Sequence, residues 1–426
     1  MWIRGGATCA PLTAPVAADP HGWAPDGGTA GHALHACEHF VHEPSHGITV
    51  LSCDPSRINW NACVGPIIDP KPRGALWVYD GEQLRYVPID DFPDAHDFHP
   101  LGIALWDMGS AVRVFATNHA THASSVEVID LHRSARGWRA RFVRTVAHPV
   151  ATHAVNSLVA LSPTSFIVTN THTALVRPPP VDDMRTLLAA LYGGVAPLLA
   201  PLIVDPRVAP VLNQIDTSVG FGFVAYVSFE SGEVAANVIA NRLMFPNGIA
   251  LTPSRKALVV SSTVYPGVLV YSFDGEPDWA HLKLGQPTAV HLPFFPDNIA
   301  LAPRSTPVSG DPLEGQMVVV AGHPSGRDNE EMKEDPRGER APSPSWVVEV
   351  AYVGDGSTDD DAPVPAHEHS ITTPGWRVHT ILQTNGRGTS GGLTVPAATT
   401  AAWIGCRVMI STLFLTAPVV CSGVTE

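Results

Sequence analysis

The chain has 426 residues, 45% of them apolar and 15% charged, with a net charge of −14. That balance is globular, and an acidic chain without a long Lys/Arg block is expected to bind neither nucleic acid nor an anionic membrane surface. The length exceeds most single cores of ordinary depth, so one large repeat domain or several smaller domains are expected, and no run of apolar residues is long enough to cross a bilayer as a helix.

The first stretch, "MWIRGGATCAPLTAPVAADPHGW", lacks the compact apolar centre of a secretory signal. Residues 1–30 read as an N-terminal extension and 31–426 as one domain. Within it a unit recurs in which a small or polar pair leads into an apolar alternation. The copies are "HGITVLS" from 46, "LGIALWD" from 101, "NSLVALS" from 156, "NGIALTP" from 247, "DNIALAP" from 297 and "GGLTVPA" from 391. Successive starts lie 55, 55, 91, 50 and 94 residues apart. After most copies comes a turn and a second strand-like run: "AVRVFATNH", "SFIVTNTH", "ALVVSST", "QMVVVAGH" and "RVMISTLF". Third runs such as "SVEVIDL" and "VLVYSFD" follow. Short, β-branched, alternating runs bounded by Pro, Gly, Asp and Ser are strands joined by turns.

The long intervals hold insertions, at about 178–205 and 326–370. "DDMRTLLAALYGGVAPLLAPLI" (182–203) has helical periodicity and reads as a packed cover, with a lid or a membrane-facing surface as its other readings. "GRDNEEMKEDPRGERAPSPS" and "GDGSTDDDAPVPAHEHS" are charged, Pro-rich surface loops by composition. Repeated antiparallel sheets of roughly 50 residues predict an all-β, six-bladed β-propeller.

In such a ring the innermost strands line a central channel. The residues leading into them then meet at its mouth, which gathers Asn156, Asn247, Asp297 and Asn298, with Leu101 and Ser390 nearby. Side-chain oxygens pooled in a narrow tunnel need a partner. Calcium accepts carboxylate and amide oxygens, whereas zinc prefers His or Cys. The six cysteines show no paired C-x-x-C spacing; Cys53 and Cys63 flank a short loop and are candidates to pair, while Cys9 and Cys421 lie near the two ends. No Asn-x-Ser/Thr site is present.

The blocks "ACEHF", "HPLGIAL", "TNHATHASSVEVIDL", "HAVNSLVALSPTSFIVTNTH", "FPNGIALTPSRKALVVSST", "PDNIALAP", "AGHPSG" and "TSGGLTV", in this order, resemble the serum paraoxonase/arylesterase family of six-bladed calcium lactonases. The resemblance runs from about Cys37 to Cys421. It implies calcium-dependent hydrolysis of lactones and aryl esters, with phosphotriesters as secondary substrates. The implied catalytic ion is held by Glu38, Asn156, Asn247, Asp297 and Asn298, and Asn156 and Asn247 are also expected to donate amide N–H groups to the oxyanion. A second, structural ion is expected to be absent, because His39 and Ser157 stand where the family has aspartates, leaving only the Ile103 carbonyl. The implied active-site histidines are His119, His172 and His323, with His119 ranked first as general base, although Leu101 replaces its family partner. A Cys9–Cys421 disulfide is implied, with Cys37 as rival partner, and so is a secreted or lumenal location, against a cytoplasmic one since no signal is visible.

The partner expected is a small lactone or ester. No G-x-S-x-G elbow occurs, which speaks against a serine hydrolase. The alternatives are a gluconolactonase-like or strictosidine-synthase-like enzyme, or a calcium-stabilised binding module without catalysis. Oligomeric state is not legible.

Overall fold

The computed structural model describes residues 2–3, 8–12, 34–59, 73–93, 97–121, 123–135, 137–175, 179–304, 308–328, 343–354, 373–385, 395–412 and 417–424. Among them are six sheets, the six blades of a β-propeller, antiparallel apart from a short parallel pairing of Ile89–Asp90 with residues 140–141 at the edge of blade two. The inner strands, in chain order, are Cys37–Glu43, Pro100–Asp107, Val155–Ser162, Pro246–Leu251, Phe295–Pro303 and Ala398–Ile404. Alternating Val, Leu, Ile and Ala side chains on facing sheets form the cores between blades. Val128, Phe115 and Phe166, for example, pack together where blades two and three meet.

Four of the six recurring sequence units, from Leu101, Asn156, Asn247 and Asp297, are inner strands as expected. The first and last are not. "HGITVLS" forms the second strand of blade one, Ile48–Cys53, and the inner strand is the preceding Cys37–Glu43. In blade six the inner strand starts at Ala398, beyond the "GGLTVPA" unit; residues 386–394, including Ser390, lie outside the described residues. Both errors arise because hydrophobic alternation is common to every strand of a blade, so periodicity alone does not separate inner strands from second ones.

Strands from the N-terminus complete two blades. Trp2–Ile3 pairs with Trp376–Gln383 in blade five, and Thr8–Pro11 pairs with Val419–Ser422 in blade six. The last blade is thus built from both ends of the chain, and a Cys9–Cys421 disulfide spans 412 residues to lock it. Cys53 does not await Cys63. It bonds to Cys37 directly across the strand pair of blade one. Cys63 lies outside the described residues, and Cys406 is a free, exposed thiol.

The 182–203 segment becomes helix α1 (Val181–Tyr192), a 3-10 turn (Ala196–Leu199) and helix α2 (Ala200–Ile203); helix α3 (Ala209–Val219) follows, which periodicity missed. Together they connect the second and third strands of blade three. Helix α1 is the packed cover expected, burying Met184, Leu187, Leu188 and Leu191 against the blade core. Beyond it the expectation fails: Val195, Leu198, Leu199 and Leu202 are exposed, as are Val211, Ile215 and Val219 of α3. Among the described residues no helix is long and apolar enough to cross a membrane. Most of the 326–370 insertion lies outside the described residues.

Candidate active site

Each inner strand carries an irregularity at its entry. Strand pairing skips between Cys37 and His39, Pro100 and Ile103, Val155 and Leu158, Pro246 and Ile249, Pro296 and Ile299, and Ala398 and Thr400. A bulge re-aims side chains and takes backbone out of the ladder. The skipped residues include Glu38, Leu101, Asn156, Asn247, Asp297, Asn298 and Thr399. Polar residues therefore sit at the head of apolar strands because the bulge takes them out of the alternation.

Glycines tighten this end of the ring. A Cβ on Gly102 would lie 2.3 Å from the Asn156 carbonyl oxygen, and one on Gly248 would lie 2.7 Å from Asn298 Cα. Only glycine lets neighbouring blade entries approach this closely. Ala36 and Phe245, each two residues before a polar entry residue, adopt positive φ of 50° and 52°.

The candidate ligands are buried: Glu38, Asn156, Asn247, Asp297 and Asn298. Asn298 Nδ2 donates to Glu38 Oε1 at 2.6 Å, joining blade five to blade one past the entry of blade six. Burial, and next the charge of Asp297, push the Glu38 carboxyl up to about 8, so the two acids lie within electrostatic reach. Asn247 Nδ2 donates to Thr263 Oγ1 at 3.2 Å. These bonds engage the amide nitrogens of Asn247 and Asn298 and turn their oxygens elsewhere. Glu38 Oε2, Asn156 Oδ1, Asn247 Oδ1 and Asn298 Oδ1 are buried without a hydrogen-bond partner.

Each such oxygen costs about 1–3 kcal/mol when left unsatisfied, and the four lie on residues at the entries of four inner strands. Two carboxylates and three amides match a divalent hard cation, which takes several oxygen ligands in adaptable geometry. Among the described residues no group of three or more His, Cys, Asp and Glu is arranged to hold a metal ion, so a site here must draw on amide oxygens.

His119 ends the second strand of blade two. Its Nε2–H donates to the Val155 carbonyl at 2.5 Å, and its Nδ1 is buried without a partner. Burial, followed by the Arg57 guanidinium, lowers its pKa to about 4. The imidazole is therefore neutral, with one tautomer fixed and a free lone pair on Nδ1. His323 Nε2 lies 3.1 Å from Asp297 Oδ2. His172 is buried, its Nδ1 2.8 Å from Thr171 Oγ1 and its ring edge-on to Phe245 at 5.0 Å. Leu101 is buried at the blade-two entry and carries no polar function there.

His39 faces the backbone of blade two, with Ile103 N–H donating to its Nδ1 at 3.0 Å. Burial takes its pKa to about 4. A neutral ring accepting that bond makes no oxygen site, and the Ser157 N–H is bound to Thr169 Oγ1.

Sequence reasoning missed a second polar group beside this centre. Asp54, Ser56, Arg57 and His99 cluster between blades one and two. His99 Nδ1 lies 3.1 Å from Asp54 Oδ2, and Arg57 Nη2 donates to the Pro100 carbonyl at 2.8 Å. Burial works against the charge of Asp54, but His99 and Arg57 together hold its carboxyl below the usual range. The "TN" pairs were also missed: Asn118 and Asn170 each accept, at 2.8 Å, an N–H from the loop entering their own blade. Repetition of "TN" in the second-strand runs was the available signal.

No family model matches the chain, and no curated protein matches it. Solved structures with similar folds include a luciferin-regenerating enzyme (10% identity, TM-score 0.44, covering 98% of this chain and 95% of that one). The gluconolactonase XC5397 of Xanthomonas campestris is another (12% identity, TM-score 0.43, covering 99% and 98%). A third is an auxiliary nutrient binding protein of Bacteroides thetaiotaomicron (8% identity, TM-score 0.46, covering 92% and 69%). Likenesses this distant carry no argument about the chemistry of this chain.

Proposed function

We propose that this chain is a calcium-dependent hydrolase of lactones and esters, with Glu38, Asn156, Asn247, Asp297 and Asn298 as ligands of one ion. The observation that carries the reading is the set of four buried, unpartnered oxygens on side chains from four blades. When bound, the ion would polarise the ester carbonyl and stabilise negative charge on its oxygen.

The remaining work falls to the chain. Neutral His119, oriented by the Val155 carbonyl, takes a proton from water at Nδ1. It acts alone, since Leu101 offers no second imidazole to relay the proton. His323 orients the Asp297 carboxylate, and His172 with Phe245 closes the wall against water. One ion suffices in this reading, because His39 has turned to the Ile103 amide. Two disulfides suit an oxidising compartment, which favours a location outside the cytoplasm.

The test is turnover of aryl acetates, alkyl lactones and sugar lactones, with and without a chelator. Chelator-sensitive turnover of aryl acetates and alkyl lactones supports the proposal. Activity confined to sugar lactones would move the chain to the gluconolactonase side, the reaction named by two of the distant structures. No hydrolysis by a calcium-loaded protein would leave a binding module.

A further inference from the structure

The bulges that expose the candidate ligands also withdraw their backbone carbonyls from the sheet, and a repeated device answers this. Near the end of the second strand in blades one, two, three, four and six stands a hydroxyl residue: Ser52, Thr117, Thr169, Ser261 and Ser411. In each case the hydroxyl crosses to the next blade. Thr117 Oγ1 donates to the Asn156 carbonyl at 2.8 Å, Thr169 Oγ1 to the Asn247 carbonyl at 2.7 Å, and Ser261 Oγ to the Asp297 carbonyl at 2.5 Å. Ser52 Oγ donates to the Leu101 carbonyl, and Ser411 Oγ to the Glu38 carbonyl at 3.3 Å.

These partners lie 39, 78, 36, 49 and 373 residues away in the chain, so none is a local turn contact. The same oxygens approach the own-blade carbonyl at 3.1 Å from Thr117 and Thr169 and at 3.3 Å from Ser261, longer in every case. At Thr169 the Ser157 N–H completes the link, donating to the hydroxyl at 3.0 Å. Ala321 holds the equivalent place in blade five, facing blade six, whose entry residue Thr399 is not among the candidate ligands. Glu38, supplied across the seam where the ring closes, is held most heavily: Thr399 and Thr400 add bonds to its carbonyl at 2.7 and 2.8 Å.

We propose that Thr117, Thr169, Ser261 and Ser411 are positioning residues: a ring of hydroxyls that fixes the backbone of every blade supplying a ligand, and so sets the ion's affinity. The proposal rests on the ligand set advanced above. Partners behind metal ligands act by orienting them, and their loss typically weakens binding by about 10–100-fold.

Calcium affinity of the full chain, by titration calorimetry, tests it. Thr169→Val and Ser261→Ala are each expected to weaken calcium at least about tenfold, with Thr169→Ser restoring wild-type affinity. Ser165→Ala, which removes a hydroxyl at the far end of the same strand, is expected to leave affinity unchanged. Thr117→Val stands in for either variant if one does not fold. Wild-type affinity in the folded Thr169→Val and Ser261→Ala proteins would overturn the positioning role while leaving the ligand set intact. A wild-type chain that binds no calcium would overturn both.

Discussion

Asn298 Nδ2 lies 2.6 Å from Glu38 Oε1, although 260 residues separate the two in the chain. Blade six stands between their blades, so the bond reaches across the mouth of the channel. It makes one buried unit of the blade-five pair and the blade-one acid, and leaves Glu38 Oε2 and Asn298 Oδ1 buried without a hydrogen-bond partner. Glu38→Gln keeps an oxygen for Asn298 but removes half of the negative charge. Calcium affinity is expected to fall at least as far as the loss of a supporting partner would take it, about 10–100-fold. Equilibrium dialysis against calcium measures it, and unchanged affinity would remove Glu38 from the ligand set.

The raised pKa of Glu38 sets a pH dependence with a definite sign. Its usual value is 4.5 and its value in the ion-free fold about 8, with burial the first cause and Asp297 the second. Between these values the native chain holds a proton that the unfolded chain releases. The Glu38 contribution to ion-free stability is therefore present at low pH and lost as pH rises toward 8. Urea midpoints of chelator-treated wild type should fall from pH 5 to pH 8 relative to Glu38→Gln. Parallel profiles would contradict the shift. Calcium binding at pH 7 should likewise release about one proton per ion.

His119→Gln is expected to lower kcat by about 10²–10⁴-fold, the scale of a lost general base, with calcium affinity within about twofold. Since burial holds the imidazole near 4, its basic form persists to about pH 5. Stopped-rate assays from pH 4.5 to 9 check both points. A variant with wild-type kcat would contradict the base role of His119 and point to Asp297 or Glu38 instead.

The two disulfides should separate by function. Cys9–Cys421 closes the outer strands of blade six, and its removal by paired Ser substitution should cost about 2–5 kcal/mol of stability without altering calcium affinity. Cys37–Cys53 clamps the strand pair on which Glu38 and Ser52 sit, so its removal should weaken calcium as well. Thermal melts combined with calcium titrations distinguish the two. Equal effects on affinity would contradict the division.

The ring was legible in the sequence because four blade entries, from Leu101 to Asp297, share one short motif despite the insertion between Asn156 and Asn247. Asn156, Asn247, Asp297 and Asn298 stood out as polar residues at matched places. Glu38 did not: its unit is one strand ahead of the "HGITVLS" run that the repeat suggested, and only the family resemblance singled it out. The hydroxyl ring was invisible for a different reason. Ser52, Thr117, Thr169, Ser261 and Ser411 are ordinary strand residues by composition, and their role depends on a contact to the next blade. Pairing of Cys37 with Cys53 depended on strand register, which spacing between cysteines does not report. Thr399 was missed because the sixth copy was placed too early.

The most direct measurement is a crystal structure of the protein grown with a lanthanide in place of calcium, read from its anomalous scattering. The account predicts one strong peak at the channel mouth, roughly 2.3–2.6 Å from Glu38, Asn156, Asn247, Asp297 and Asn298 oxygens, as calcium coordination requires. A map with no peak there, or with the ion bound elsewhere and these five side chains unliganded, would contradict it.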